Sequence, residues 1–320
     1  MLFSKGVGQD VPFDAGHPAI SASRVGVGDL KTNTIRSGRC RSGTGAVTSS
    51  RLGRLHMMSV LTRNNVRVAG QAAGQPMMFA HGFGCDQNMW RFVVPTFEDA
   101  YRIVLFDHVG AGRSDLSAYD VEKYSSLDGY ATDMLEISHE LDLNDVIFIG
   151  HSVSSIIGVL ASNREPECFQ KLVLVGPSPA YINEGDYVGG FTRQDIDELL
   201  ESLDSNYLGW SSAMAPLIMG NADRPELGEE LTNSFCRTNP DIARHFAHVT
   251  FTSDNRADLA NVKVPALVLQ CSEDVIAPQV VGEYVHRAIP DSQFVQMEAT
   301  GHCPNLSAPA ETISAIKAFL

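Results

Sequence analysis

The 320-residue chain has a formal net charge of −14, with 44% hydrophobic and 19% charged residues. This composition is typical of a globular protein with a sizeable core, and the acidic balance argues against a nucleic-acid or anionic-membrane partner. The sequence shows neither a secretory signal nor the run of about 20 apolar residues that a membrane span needs. Its six cysteines have no C-x-x-C pair or metal-ligand spacing, so we expect free thiols in a cytoplasmic protein.

Residues 1–57 are rich in Gly, Ser, Arg and Thr and have no apolar periodicity. We interpret them as a disordered or non-native extension that carries no chemistry. From Met58 onward, short apolar strands alternate with segments of helical spacing. The strands are predicted over 65–69, 77–80, 102–107, 146–149 and 171–176, and helices over 90–100 and 127–141.

Residues 177–260 interrupt this alternation, since they contain helical segments and no convincing strand. Helices are predicted there over 192–205, 207–219, 225–236 and 240–249. A strand over 265–271, a helix over 278–288, a strand over 293–298 and a terminal helix from 310 complete the chain. The pattern predicts an α/β fold, a mostly parallel sheet with helices on both faces. Its core comprises 58–176 and 261–320, and 177–260 form an inserted helical cap.

The segment Gly150-His151-Ser152-Val153-Ser154 lies between the predicted strand 146–149 and an apolar helix. A serine at such a strand–turn–helix junction is the arrangement of a nucleophile elbow, Gly-x-Ser-x-Gly. Ser154 stands where that pattern has its second glycine, and a small residue there still allows close packing of helix on strand. A buried serine that merely starts a helix is the alternative interpretation.

An activated serine needs a general base and a carboxylate that orients the base. His302 follows the last predicted strand and Asp274 follows the strand before it. These three side chains come in the order Ser, Asp, His, each at the carboxyl end of a strand, so we predict a triad of Ser152, Asp274 and His302. Asp107, which precedes a glycine-rich turn, is interpreted as structural. His81 is expected to brace its glycine turn by hydrogen bonding, and His151 is expected to pack under the elbow turn.

The oxyanion of the reaction needs two backbone N–H donors. We predict that these belong to Val153, directly after the nucleophile, and to Phe83, in the turn His81-Gly82-Phe83-Gly84. Apolar residues are expected to line the substrate pocket. They are Phe83, Tyr181, Phe191, Trp210, Phe246, Phe251 and Ile276.

Cys85 is the alternative nucleophile, although no base is evident near it in the sequence. Cys303 adjoins His302 and predicts sensitivity to thiol reagents. We find no metal cluster, P-loop or dinucleotide fingerprint, and Gly110-Ala111-Gly112 lacks the third glycine of the last of these.

Seven motifs between about Met58 and Leu320 give the chain a resemblance to the RsbQ-like α/β-hydrolases, and Ser154 makes the elbow similar to that of the related plant strigolactone and karrikin receptor hydrolases. The motifs are 81–87, 150–154, 176–179, 189–191, 209–210, 253–256 and 301–304. The resemblance implies the α/β-hydrolase fold, the triad Ser152, Asp274 and His302, a four-helix cap over a closed apolar cavity, and no cofactor. It leaves 1–57 without a counterpart.

These residues predict a serine hydrolase (a carboxylesterase) that cleaves small apolar esters or lactones through an acyl-enzyme. The resemblance also implies an alternative, a signalling hydrolase that senses a ligand and activates a PAS-domain phosphatase partner, and it favours a monomer. Carbon–carbon bond hydrolysis on the same fold stays open. A dehalogenase would need aspartate at Ser152, and haloperoxidases usually have tryptophan at the position of Phe83.

Overall fold

The computed structural model describes residues 59–320, which are built around a seven-stranded sheet. In chain order the strands are β1 (Arg67–Gly70), β2 (Gln75–Ala80), β3 (Tyr101–Leu105), β4 (Val146–His151), β5 (Phe169–Val175), β6 (Ala266–Gln270) and β7 (Ser292–Gln296). They lie side by side in the order β1-β3-β2-β4-β5-β6-β7. Only β1 is antiparallel to its neighbour, so the predicted mostly parallel sheet is confirmed for the described residues.

Ten α-helices accompany the sheet in this part of the chain. They are α1 (Val60–Arg63), α2 (Leu127–Glu140), α3 (Val153–Arg164), α4 (Arg193–Ser205), α5 (Tyr207–Met219), α6 (Pro225–Arg237), α7 (Pro240–Thr252), α8 (Gln279–Ala288), α9 (Pro304–Ser307) and α10 (Pro309–Phe319). Within residues 59–320, every helix is too short or too polar to span a bilayer.

Both faces of the central strands are buried, which explains their uninterrupted apolar sequences. Met77 and Phe79 of β2 belong to one apolar cluster, whereas Met78 belongs to a second cluster on the opposite face. Successive side chains of a strand point to opposite faces, so a strand covered on both sides has no polar positions. Helices α2 and α3 contribute to the second cluster and α10 to the first, and helices therefore cover both faces.

The helix predicted over 90–100 does not form. Two 3-10 turns, Gln87–Trp90 and Val94–Thr96, occupy this region instead. Pro95 lies at the start of the second turn, where its missing N–H and its fixed φ angle are tolerated. The same ring would clash with the preceding turn of a continuous α-helix. The apolar residues of this region therefore pack into the first apolar cluster from two short turns.

Helices α4 to α7 follow one another between β5 and β6, as the sequence predicts. Among these four helices, the largest difference from the predicted bounds is at α7, which was predicted over 240–249 and ends at Thr252. Whether 177–260 behave as a separate cap on a core of 58–176 and 261–320 stays our interpretation. The predicted extension 1–57 lies outside the described residues.

Candidate active site

Ser152 lies at the junction of β4 and α3, in a backbone conformation that is rare for a residue with a side chain. Its φ is 57° and its ψ is −125°. Such positive φ values in non-glycine residues cost of order 1–3 kcal/mol and persist where surrounding contacts enforce them. Here the Ser152 N–H donates to the Val175 carbonyl of β5 at 2.8 Å. The turn therefore holds the Ser152 side chain above the carboxyl edge of the sheet.

Asp274 and His302 lie on the loops after β6 and β7, and backbone hydrogen bonds join these loops. The Gly301 N–H donates to the Glu273 carbonyl at 2.6 Å, and the Ser272 N–H donates to the Ala299 carbonyl at 2.9 Å. Because β6 and β7 are parallel neighbours, their following loops start at the same edge of the sheet. The sheet register therefore brings two residues that are distant in sequence into contact.

The three predicted triad residues form a continuous hydrogen-bonded series. Ser152 Oγ lies 2.7 Å from His302 Nε2, and His302 Nδ1 lies 2.7 Å from Asp274 Oδ2. All three are buried, with exposed fractions of 6%, 4% and 8% for Ser152, His302 and Asp274. A carboxylate accepts at Nδ1, so this nitrogen carries the proton and Nε2 is left to accept from the serine hydroxyl. Such a series can deprotonate a serine as it attacks.

The second carboxylate oxygen of Asp274 is also satisfied. It accepts the backbone N–H groups of Ile276 at 2.9 Å and Ala277 at 3.0 Å. These two backbone donors fix the position of the carboxylate on the loop after β6. Asp274 is thereby fixed in the orientation that His302 requires.

The backbone of His302 is held on both sides. Its N–H donates to the Ile218 carbonyl at the end of α5 at 2.8 Å, and its carbonyl lies 2.7 Å from His151 Nε2. His151 is buried, and burial followed by the nearby His302 lowers its pKa to about 3, so its ring is neutral and donates from Nε2. The sequence predicted that His151 packs under the elbow turn, but it gave no signal for the contacts that hold the His302 backbone.

Gly301 allows this close approach between the loop and α5. Its φ is 78°, and a Cβ atom at this position would lie 1.8 Å from the Met219 carbonyl oxygen. No side chain fits there without moving α5 or the histidine loop. The residue before His302 is therefore restricted to glycine by the fold.

The two predicted oxyanion donors flank Ser152. A Cβ atom added to Gly82 would lie 3.3 Å from Ser152 Cβ, so the turn that carries Phe83 passes directly against the serine. Val153 is the first residue of α3, where N–H groups have no partner inside the helix. Within residues 59–320, neither the Phe83 nor the Val153 N–H donates to another protein group. Both donors are thus free for a ligand oxygen.

Ser154 connects the elbow helix to this turn, a role that the sequence did not reveal. Its hydroxyl donates to the His81 carbonyl at 2.5 Å and lies 2.7 Å from His108 Nε2. The His108 ring is buried and its pKa is lowered by that burial, so a neutral ring donates from Nε2 to Ser154. The His108 N–H donates to His81 Nε2 at 3.0 Å, and His81 Nδ1 therefore donates to the Gly82 carbonyl at 2.9 Å. These bonds fix the turn that precedes Phe83.

The alternative residues have other roles. Burial raises the pKa of the Cys85 thiol to about 12, which removes the thiolate that a cysteine nucleophile needs. The Asp107 carboxylate accepts the backbone N–H groups of Gln87 and Arg113, both at 2.9 Å, and the side-chain amide of Asn65 at 2.7 Å. Asp107 is therefore structural. Among residues 59–320, no three His, Cys, Asp or Glu side chains cluster as metal ligands would.

A cavity of about 30 Å³ adjoins Ser152 and His302. Five of the seven predicted pocket residues lie in its wall: Phe83, Tyr181, Trp210, Phe251 and Ile276. Residues of the wall that the sequence did not suggest include Ile218, Leu231, Phe235 and Thr250. All four belong to helices α5 to α7, whose inner faces cannot be assigned to one cavity by periodicity alone.

Phe191 and Phe246 differ from the prediction, since neither lines this cavity. Phe191 exchanges backbone hydrogen bonds with the segment 181–183, and its ring packs in the adjacent apolar cluster. Phe246 lies behind Phe83, with ring centroids 5.7 Å apart, and packs on Tyr130 at 4.5 Å. Phe246 thus supports the wall from outside.

Comparisons with known proteins identify the family of this chain. A family model described as the alpha/beta hydrolase family matches residues 77–315. The chain belongs to this family. A rice protein, "Probable esterase D14L", is 42% identical over 77% of this chain and 91% of its own length. "Strigolactone esterase D14" of Arabidopsis thaliana is 39% identical over 79% of this chain and 94% of its own length.

A third plant relative, "Karrikin insensitive 2 receptor CA" of Petunia hybrida, is 41% identical over 77% of this chain and 91% of its length. Among solved structures, a hydrolase from Oleispira antarctica superposes with a TM-score of 0.79 and 43% identity, over 81% of this chain and 95% of its own. The resemblance to plant receptor hydrolases and the α/β-hydrolase fold are therefore both confirmed.

Proposed function

We propose that this α/β-hydrolase is a serine esterase, which cleaves small apolar carboxylic esters or lactones through an acyl-enzyme. The observation that carries the proposal is the hydrogen-bonded series from Ser152 through His302 to Asp274, with both contacts at 2.7 Å. The names of the relatives, two of which are called esterases, support the same reaction class.

In the proposed first step, Ser152 Oγ attacks the substrate carbonyl and its proton passes to His302 Nε2. Asp274 accepts from His302 Nδ1–H and stabilises the imidazolium that forms. The negative charge on the carbonyl oxygen is stabilised by the N–H groups of Phe83 and Val153. His302 then gives its proton to the leaving alkoxide, and the Ser152 ester remains.

In the second step, water attacks the acyl group of Ser152. His302 takes the water proton and returns it to Ser152 as the carboxylic acid leaves. In a lactone the leaving alkoxide is tethered to the acyl group, so the product is a single hydroxy acid. The small cavity supports an apolar acyl part. Its polar wall groups, apart from Ser152, are the two histidines, Thr250 and the Tyr181 phenol, and the other wall residues are apolar or carry a thiol.

The test is hydrolysis of p-nitrophenyl acetate by the wild type and by the Ser152→Ala and His302→Ala variants. We expect activity in the wild type and a loss of at least about 10³-fold in each variant. Ser162→Ala, on the same helix α3 but bonded to the Val159 carbonyl, serves as the matched serine control. Unchanged turnover in Ser152→Ala would remove Ser152 from the mechanism.

Ligand sensing is the second candidate, because a relative with 41% identity is named a receptor. In that case slow hydrolysis accompanies a ligand-dependent change that a partner recognises. Stabilisation of Ser152→Ala by an uncleaved ligand, together with weak turnover by the wild type, would favour this candidate. A PAS-domain phosphatase partner and the monomeric state stay predictions from the resemblance.

A further inference from the structure

Phe235 of α6 lies in the wall of the cavity that Ser152 also lines. Its side chain is buried. It stacks on Trp210, with centroids 5.8 Å apart and planes 11° from parallel, and meets Phe83 edge-on at 5.7 Å. Phe235 therefore fills the gap between the oxyanion turn and α5.

The backbone of the oxyanion turn leaves room for this ring at one point. Gly84 has a φ of 69°, and a Cβ atom there would lie 2.3 Å from Phe235 Cδ1. The ring thus packs directly against the main chain one residue after the proposed donor Phe83. Such contact is possible because glycine has no side chain.

Polar contacts hold α6 against this turn. Arg91 forms two parallel bonds to the Glu230 carboxylate, both 2.7 Å long. Four residues further along the helix, the Ser234 hydroxyl donates to the Gly84 carbonyl at 2.9 Å. Residues four apart share one helix face, so both contacts fasten the same side of α6 to the core.

The carbonyl of Phe235 itself is also held, by the Tyr207 hydroxyl of α5 at 2.9 Å. The ring therefore cannot leave the cavity by a simple rotation of its helix. Any movement of Phe235 has to break contacts with both the core and α5.

The resulting cavity is small for a hydrolase site. Its volume is about 30 Å³. Pockets for drug-sized ligands occupy roughly 300–1,000 Å³. The space next to Ser152 is therefore far smaller than such pockets and favours a small acyl group.

We propose that Phe235 sets the acyl-size limit of this site and restricts it to substrates with short acyl groups, of the acetyl to butyryl class. The inference rests on the proposed function, because it concerns the acyl group that Ser152 would carry. A longer chain has to displace the Phe235 ring from its stack with Trp210 and from Gly84.

The test compares kcat/KM for acetyl, butyryl, hexanoyl and octanoyl p-nitrophenyl esters. We expect the wild type to lose at least about 10-fold between the acetyl and hexanoyl esters, as is usual when methylenes exceed a pocket. Phe235→Ala should raise the hexanoyl-to-acetyl ratio by at least about 10-fold, with Phe235→Leu intermediate. The leucine variant keeps the test valid if the alanine variant does not fold.

Phe169→Leu is the matched control, since Phe169 is a buried phenylalanine at the start of β5, remote from the elbow. Its chain-length ratio should equal that of the wild type. A wild type that hydrolyses octanoyl and acetyl esters equally well would overturn the proposal. So would a Phe235→Ala variant in which all four rates change by one common factor.

Binding of alkyl methyl ketones to Ser152→Ala, followed by tryptophan emission because Trp210 lies in the cavity wall, separates the two proposals. A size limit that Phe235→Ala relieves in this binding assay supports the role of Phe235 without any turnover. If that limit is present while ester cleavage does not depend on Ser152, the proposed function fails and the size limit stands. If ketones of all lengths bind equally, the size limit fails on its own.

Discussion

Acidification should destabilise this protein well before its carboxylates titrate, because His151 is buried as a neutral ring. Its folded-state pKa is about 3, whereas an unfolded histidine has a pKa of about 6.5. Between these values the unfolded state binds one proton more than the folded state, so stability rises with pH. The contribution is complete above pH 6.5 and is lost as the pH falls toward 3.

The magnitude at pH 5 follows from the two pKa values. Protonation of the unfolded histidine alone stabilises the unfolded state by about 2 kcal/mol at pH 5 relative to pH 7. A folded-state pKa anywhere well below 5 gives nearly the same value. His108 is also buried with a lowered pKa, so it adds a term of the same sign. Together they give up to about 4 kcal/mol, a large part of a typical stability of 5–15 kcal/mol.

The assay is urea unfolding at pH 7 and pH 5, where ordinary carboxylates are still ionised. The His151→Gln variant keeps a donor for the His302 carbonyl but cannot take up a proton. We expect its loss between the two pH values to be smaller than that of the wild type by about 2 kcal/mol. A wild type whose free energy of unfolding is the same at both pH values would refute the reasoning, as would an undiminished loss in His151→Gln.

Three substitutions test other parts of the account. Asp274→Asn should lower kcat by about 10³–10⁴-fold, because an amide that donates to His302 favours the wrong tautomer; esterase activity within 10-fold of wild type would contradict this role. Ser154→Ala leaves the His81 carbonyl and His108 Nε2 without this partner, and we expect urea unfolding to show a free energy of unfolding lower by about 2–5 kcal/mol. A decrease of less than about 0.5 kcal/mol would show that Ser154 does not join these two groups. Gly301→Ala should lower both the melting temperature and kcat, since its Cβ would lie 1.8 Å from the Met219 carbonyl oxygen; a variant with wild-type values would show that α5 does not restrain the histidine loop.

The sequence allowed prediction of those features that depend on local pattern. The elbow strand and its helix could be located because four apolar residues, a turn of small residues and a helical repeat follow each other around Ser152. Asp274 and His302 could be assigned because each follows a strand, and parallel strands place their following loops at one edge. The order of these residues then pointed to the same family that the comparisons show.

Features that depend on packing between distant segments could not be predicted. The contact between Ile218 and His302 joins a helix end to a loop more than 80 residues away. Some aromatic residues line the cavity and others pack behind its wall. Which of the two positions an aromatic residue takes depends on which face of α6 or α7 meets the core. Phe246 and Phe235 both lie on amphipathic helices, yet Phe246 lies behind Phe83 and Phe235 lies in the wall of the cavity.

The most direct test of the central claim is peptide mass spectrometry of protein that is quenched with acid during turnover of p-nitrophenyl acetate. The account predicts an acetyl group on the peptide that contains Ser152, and its absence in the Ser152→Ala variant. An acetyl group on Cys85, or sustained turnover with no acylated Ser152 at any time point, would contradict it.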